Sequence, residues 1–340
     1  MKTLKIHGAE NITIEDAPVP EPGDGEVRVR MQYGGICGSD LHYYFHGRNG
    51  AFVVTEPFTP GHEMSGVIDL DPSGRWAAGT RVTIAPATYG TPQPGIENRK
   101  YLWPGGSYFG SASTTPHTQG GMSQYRLVPA FMVRELPEGL STRDAALAEP
   151  LAVALHAISI AGGVEGQKVL VTGSGPIGLC VVAAAAALNA AEVTATDMLE
   201  GPLERARAVG ATTTLKAGVD EVPPLAYDVV FECSGVAPAV NQALGAVRRA
   251  GTVVQVGILP ADKIAVNLEP LVSREVRYLG TFRFDNEIDQ AIAMLADYPQ
   301  IAKVITHVID ADRIVEAFET ARNSQESGKV VVSLWLDDEV

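Results

Sequence analysis

Apolar and polar positions change rhythm along this chain. Up to about residue 150 the apolar residues come in short runs rich in β-branched side chains, "EVRVRMQYGG", "MSGVIDL" and "RVTIAP", bounded by Gly, Pro or Asp. Such runs predict strands joined by turns, so this part is expected to be mainly β. From about 153 to 284 a second rhythm takes over. Apolar stretches, "KVLVTG", "EVTATD", "YDVVFECSG", "GTVVQVGIL" and "VRYLGTF", alternate there with Ala-rich or amphipathic segments. That alternation predicts a doubly wound parallel sheet, hence an α/β chain. The remainder predicts helices over 286–298 and 311–323 and a closing strand, "KVVVSLWL", able to return to the first domain. The expected organisation is one domain from 1–152 together with 286–340, and a second from 153–285. Between Pro86 and Gly121 lies a stretch crowded with Gly, Pro, Ser and Thr. It is longer than loops usually run without an anchoring or functional reason.

Composition narrows the function. At 340 residues, 46% hydrophobic and 19% charged, the chain can bury two cores and is expected to be globular. A net charge of −14 repels a polyphosphate backbone, and no cluster of Lys and Arg with interleaved aromatics overrides it, so nucleic acid is not an expected partner. Cysteines at 37, 180 and 233 are too few and too scattered for a disulfide framework, which fits a reducing cytoplasm. The first residues turn polar too soon for a secretory signal. The longest apolar run, Leu179 to Ala191, is broken by Asn189 and falls short of the ~20 residues that span a bilayer. No membrane association is expected.

The segment "KVLVTGSGPIGLCVVAAAAALNAAEVTATD" sets Gly173, Gly175 and Gly178 in GxGxxG spacing between a strand and a helix, with Pro176 and Ile177 inside the motif and Asp197 closing the next strand. The first glycine permits a tight turn, the second lets backbone approach a pyrophosphate, and the third lets helix and sheet pack closely. Asp197 stands 19 residues after Gly178, where a carboxylate accepts bonds from an adenosine ribose and repels a 2′-phosphate. The expected cofactor is NAD; the ordinary alternative for Asp197 is a cap on a strand-end turn.

Three fragments carry metal-ligating residues: "GGICGSDLHYYFHGRNG" with Cys37, "PGHEMSGVI" with His62 and Glu63, and "AALAEPLAVALHA" with Glu149. One thiolate, one imidazole and carboxylates can hold a catalytic zinc with an exchangeable position. Each fragment also has an ordinary reading, as a buried thiol, a satisfied histidine and a helix start.

The ordered set "GGICGSDLHYY", "GHEMSGVI", "AEPLAVALHA", "GSGPIGL", "FECSG", "VVQVG" and "GKVVV" resembles the zinc-dependent medium-chain dehydrogenases nearly end to end. "CGSDLHYYFHGRNG" with "GTFRF" is most similar to their polyol branch, and "YFGSASTTPHTQGGMSQYRLV" tilts the match toward the L-idonate 5-dehydrogenases within it. The resemblance implies a GroES-like, mainly β catalytic domain and a Rossmann cofactor domain. It implies zinc held by Cys37, His62 and Glu63, with Glu149 reaching it directly or through water, and Asp40 fixing the His62 imidazole. Ser39 and His42 would relay a proton. Tyr43, His117 and Arg283 are candidates for substrate contact, and Cys233 and Val256 for the cofactor's edge. The implied reaction is NAD-linked oxidation of a secondary alcohol of a sugar acid or polyol, L-idonate first, with sorbitol or xylitol as the neutral alternative. A non-catalytic NAD-binding sensor is the rival of another class. A dimer or tetramer is expected from the resemblance alone. The chain departs from many relatives in lacking four closely spaced cysteines between 86 and 121, so one zinc at most is expected per chain. Packing of Tyr89, Tyr101, Leu102, Trp103, Tyr108 and Phe109, or a neighbouring subunit, would then hold that stretch.

Overall fold

The computed structural model describes residues 1–336, which divide into two compact units. The first comprises Met1–Glu149, Ile305–Asn323 and the chain from Lys329 onward; the second comprises Pro150–Val304 and Ser324–Gly328.

The first unit is built on a seven-stranded sheet. Its order runs Val133–Glu135, Arg81–Ile84, Glu63–Leu70, Glu26–Gly35, Lys329–Ser333, Ile305–Asp310, and Tyr125–Pro129 also pairs with Glu26–Gly35. All pairs are antiparallel except Ile305–Asp310 with Lys329–Ser333, where the helix Ile314–Arg322 makes the crossover that parallel strands need. Glu26–Gly35 alternates buried and half-buried positions, putting Val27, Val29 and Met31 into a core shared with Leu4, Ile6, Phe58 and Phe318. The predicted strands therefore exist where the alternation placed them.

The second unit is a six-stranded, fully parallel sheet in the order Thr213–Lys216, Glu192–Asp197, Lys168–Thr172, Tyr227–Glu232, Val247–Gln255, Arg277–Gly280. Strands buried on both faces need continuous apolar runs, which is why "KVLVT" reads as it does. The order in which strands are added reverses beside Lys168–Thr172, the switch point where doubly wound folds bind ligands.

Two expectations change. The domain boundary lies at 304/305, not 285/286. The helix Glu287–Asp297 buries Ile288, Ala291, Ile292 and Leu295, and Glu287 Oε1 bonds His156 Nδ1 at 2.8 Å inside the second unit. The half-polar strand Thr213–Lys216 was not predicted; it is the exposed edge of its sheet, where an apolar run is not required. Among the described residues no helix is long and apolar enough to cross a membrane.

Candidate metal centre and cofactor site

Cys37 ends the link from Glu26–Gly35 and caps the helix Gly38–His46, so its sulfur sits at the positive end of a helix dipole. His62 and Glu63 open the strand Glu63–Leu70, in which Glu63 is the register partner of Gly35. Sheet pairing thus carries residues 25 positions apart to one place. One ligand atom from each of Cys37, His62 and Glu63 lies within 4.8 Å of the others, the only such group of three or more His, Cys, Asp or Glu found among the described residues.

Glycine makes the room. A Cβ on Gly35 would stand 2.0 Å from Glu63 Oε2, so only a bare backbone admits the carboxylate. Gly61, at φ +96°, turns the chain into His62, and a Cβ on Gly120 would strike the Pro60 carbonyl at 2.3 Å. The glycine-rich stretch therefore serves as a seat for the metal loop. Of the aromatics expected to hold it, Tyr108 and Phe109 are buried. Tyr89 and Leu102 are exposed, and Trp103 spends its indole N–H on the Ile96 carbonyl at 3.0 Å.

The electrostatics of the cluster call for a cation. Burial alone would lower the His62 pKa, but the Cys37 sulfur, Asp40 and Glu149 outweigh it and raise it to about 10. Glu63 is fully buried; Oε1 accepts from Lys329 Nζ at 2.6 Å, while Oε2 has no hydrogen-bond partner. An orphaned carboxylate oxygen beside a thiol and an imidazole fits a bound zinc, since buried charge otherwise costs several kcal/mol, roughly. Lys329 Nζ also donates to the Ile36 carbonyl at 3.0 Å, tying the closing strand to the residue before Cys37.

Glu149, near the start of the helix Ala148–Ala161, accepts from the Tyr108 hydroxyl at 2.5 Å, and Tyr108 stacks edge-on to His62 at 5.4 Å between centroids. Burial raises the Glu149 pKa, opposed by His62 and Tyr108. Ser39 and His42 are three apart on one helix and so share a face. His42 is exposed, with its pKa lowered by partial burial and by His46, whose ring is 5.7 Å away.

One expected role is corrected, and two further candidates have partners the sequence did not suggest. Asp40 makes no hydrogen bond to the His62 ring; its carboxylate accepts from the backbone N–H of Cys37 at 3.0 Å and of Gly61 at 3.3 Å, so it positions the two ligand-bearing turns. Tyr43 is a core residue, edge-on to Phe58, whose hydroxyl accepts from Ala112 N–H at 3.1 Å. His117 is buried with both ring nitrogens engaged: Nδ1 bonds the Thr114 carbonyl at 2.8 Å and Nε2 accepts from Thr55 N–H at 3.0 Å. Both side chains are engaged by other groups of the first unit. Lys329 and Tyr108 were missed as site residues, because their roles arise from partners 266 and 41 positions away.

In the second unit Gly173 takes φ +87° at the end of its strand, and a Cβ on Gly178 would lie 1.9 Å from the Gly173 carbonyl. Gly175 differs: its φ is −70° and a Cβ there would meet no protein atom within 4 Å. Its bareness serves no contact of the fold. It leaves open the ground in front of the helix Pro176–Ala187, where a pyrophosphate binds. Asp197 is a turn cap, its Oδ2 accepting from Ser174 N–H at 2.9 Å and Oδ1 from Leu199 N–H at 3.0 Å. That brings it to the glycine turn. Cys233 packs against Gly178, and Val256 N–H donates to the Glu232 carbonyl at 2.8 Å, so the predicted cofactor residues gather at the carboxyl edge of the sheet.

Comparison with known proteins agrees with this geometry. Residues 23–138 match the alcohol dehydrogenase GroES-like domain and residues 176–297 the zinc-binding dehydrogenase family. The chain is 36% identical to the sorbitol dehydrogenase of Bos taurus over 94% of its own length and 92% of that protein's. The crystal structure of L-idonate 5-dehydrogenase from Escherichia coli superposes with a TM-score of 0.92 at 29% identity, covering 98% of this chain and 97% of that one. The 2R,3R-butanediol dehydrogenase of Bacillus subtilis gives 0.86 at 28%, covering 98% and 99%. With its GroES-like unit, its parallel-sheet unit and one cluster of metal ligands, the chain belongs to the zinc-binding medium-chain dehydrogenases, as an NAD-dependent alcohol or polyol dehydrogenase of their polyol branch.

Proposed function

We propose that the chain oxidises a secondary alcohol of a sugar acid or polyol to the ketone, with L-idonate, oxidised at carbon 5 to 5-ketogluconate, as the first substrate to try. The observation that carries this is the Cys37–His62–Glu63 group, with His62 and Glu63 buried, Cys37 half-buried and one Glu63 oxygen orphaned. Those three residues would hold zinc. Zinc bound there would acidify an alcohol, and bound NAD would supply the hydride acceptor. Ser39 takes the alcohol's proton and hands it along the shared helix face toward exposed His42, which releases it to water. Glu149, held by Tyr108, keeps a second carboxylate beside the ligands. Asp197 favours NAD over NADP by its charge.

Arg283 stands in the loop after Arg277–Gly280 at φ +51°, with its guanidinium 4.8 Å from the Phe282 ring. A planar fork suits a carboxylate or a hydroxyl pair. Arg48, in the loop that follows the helix Gly38–His46, has its guanidinium turned to the Gly50 carbonyl of that loop. The 36% identity with sorbitol dehydrogenase supports a second reading, a neutral polyol substrate. NADH formation on idonate, sorbitol and xylitol, measured side by side with and without chelator, tests both. Arg283→Ala should weaken idonate more than sorbitol; equal losses would remove Arg283 from carboxylate recognition. Turnover unaffected by chelator or by Cys37→Ser would sink the metal assignment. Assembly as a dimer or tetramer and a cytoplasmic setting, in keeping with three cysteines that form no disulfide, complete this reading.

A further inference from the structure

A second candidate site, an apolar-walled pocket that carries two cations, lies in the first unit and shares no residue with the metal cluster. It is a cavity of about 180 Å³ whose lining includes Lys5, Arg126, Gln119, Thr59, Thr3 and Ser123, and no carboxylate. Lys5 Nζ donates to Gln119 Oε1 at 2.7 Å and Arg126 Nη2 donates to the Gln119 carbonyl at 3.1 Å, so both cations converge on one residue. Arg126 lies over the Phe109 ring at 4.9 Å, and its Nε–H is buried with no hydrogen-bond partner. The carboxylates that act on the pair from a distance are occupied elsewhere: Glu15 by His7 and Thr13, Glu26 by the Gly23 N–H. Burial lowers the pKa of each cation, and Arg126 lowers that of Lys5 further.

Two adjacent cations lacking an ion-paired carboxylate, in a protein of net charge −14, are costly without a counter-charge. A guanidinium with a spare Nε–H and an ammonium with spare protons offer what an oxyanion accepts. The volume admits a tetrahedral oxyanion with some water, each water taking roughly 30 Å³, and is too small for a nucleotide. We propose that the Lys5–Arg126 cavity binds a small tetrahedral oxyanion, inorganic phosphate or the phosphate group of a small monoester. The site is wired to the metal loop. Gln119 Oε1 also accepts from Thr59 N–H at 2.9 Å, and Gly120 N–H donates to the Thr59 carbonyl at 2.7 Å, three residues before His62. An anion held by Lys5 and Arg126 would brace that segment.

The test is thermal unfolding of the full-length, zinc-loaded protein with saturating NAD, which fills the pyrophosphate site, titrated with inorganic phosphate at constant ionic strength against chloride. The expected result is a saturable rise in Tm with phosphate and none with chloride. Lys5→Gln and Arg126→Met should each weaken the apparent phosphate affinity at least tenfold. Should Arg126→Met fail to fold, the half-buried Lys5→Gln decides alone. A parallel titration with glycerol 3-phosphate separates the sources: a matching rise assigns a monoester, no rise the free ion. Equal stabilisation of wild type and Lys5→Gln, or of phosphate and chloride, overturns the proposal.

Discussion

Replacing Lys329 by methionine removes one half of a buried ion pair and little volume. Lys329 is 2% exposed and Glu63 is 0%, with 2.6 Å between Nζ and Oε1. Because Glu63 Oε2 already lacks a hydrogen-bond partner, the variant leaves a buried carboxylate without its ion-pair partner in metal-free protein. Breaking a buried pair from one side costs about 3–5 kcal/mol. With a urea m-value of about 2 kcal/mol per M, the unfolding midpoint of chelated protein should fall by about 1.5–2.5 M. Zinc-loaded protein should lose less, since a bound cation takes over the neutralisation. The double variant Glu63→Gln, Lys329→Met removes the stranded charge and should recover part of the loss, a coupling that urea curves of all four proteins measure. A Lys329→Met midpoint equal to wild type without metal, or a double variant no better than the single, would refute the reasoning.

Gly178→Ala places a methyl 1.9 Å from the Gly173 carbonyl and should cost roughly 1–3 kcal/mol of stability, whereas Gly175→Ala should melt like wild type and yet bind NAD at least tenfold more weakly. Calorimetric NAD titration beside a melting curve separates the two. Tyr108→Phe removes the hydroxyl that bonds buried Glu149 and should lower stability by roughly 1–3 kcal/mol in urea. Glu287 has its pKa lowered: burial opposes this, but the His156 bond and the Asp285 N–H outweigh it. Its stabilisation is complete above the unfolded carboxylate value of about 4.3 and is lost as pH falls through the lower folded value. Glu287→Gln should therefore flatten the acid limb of the stability curve below about pH 4.3; parallel limbs would exclude the pair from acid stability.

Periodicity sufficed for most strands because burial imposes it: "EVRVRMQYGG" alternates since one side of its sheet faces the core, and "KVLVT" is continuous since both do. The GxGxxG segment was legible because each glycine answers a local backbone demand. Asp40, Tyr43 and His117 were harder. Their residue types permit chemistry, but whether a hydroxyl or imidazole meets substrate depends on neighbours such as Ala112, Thr55 and Gly61, which no local pattern brings together. Lys329 lay in plain view in "GKVVV", yet only pairing of the closing strand with Glu26–Gly35 carries it to Glu63. Local order records what burial requires; long-range pairing has no such signature.

That closing strand also sets the order in which a newly made chain can finish. Cys37, His62, Glu63 and Glu149 are synthesised first, but the ammonium that balances Glu63 belongs to Lys329, 180 residues after Glu149. At roughly 5–20 residues per second the ribosome needs on the order of 10–40 s to supply it, and the parallel-sheet unit emerges in that interval. During biosynthesis, then, the ligand pocket waits as an unbalanced carboxylate under an unclosed sheet. Docking of the last strand completes the charge balance around Glu63 only after every ligand residue has been made.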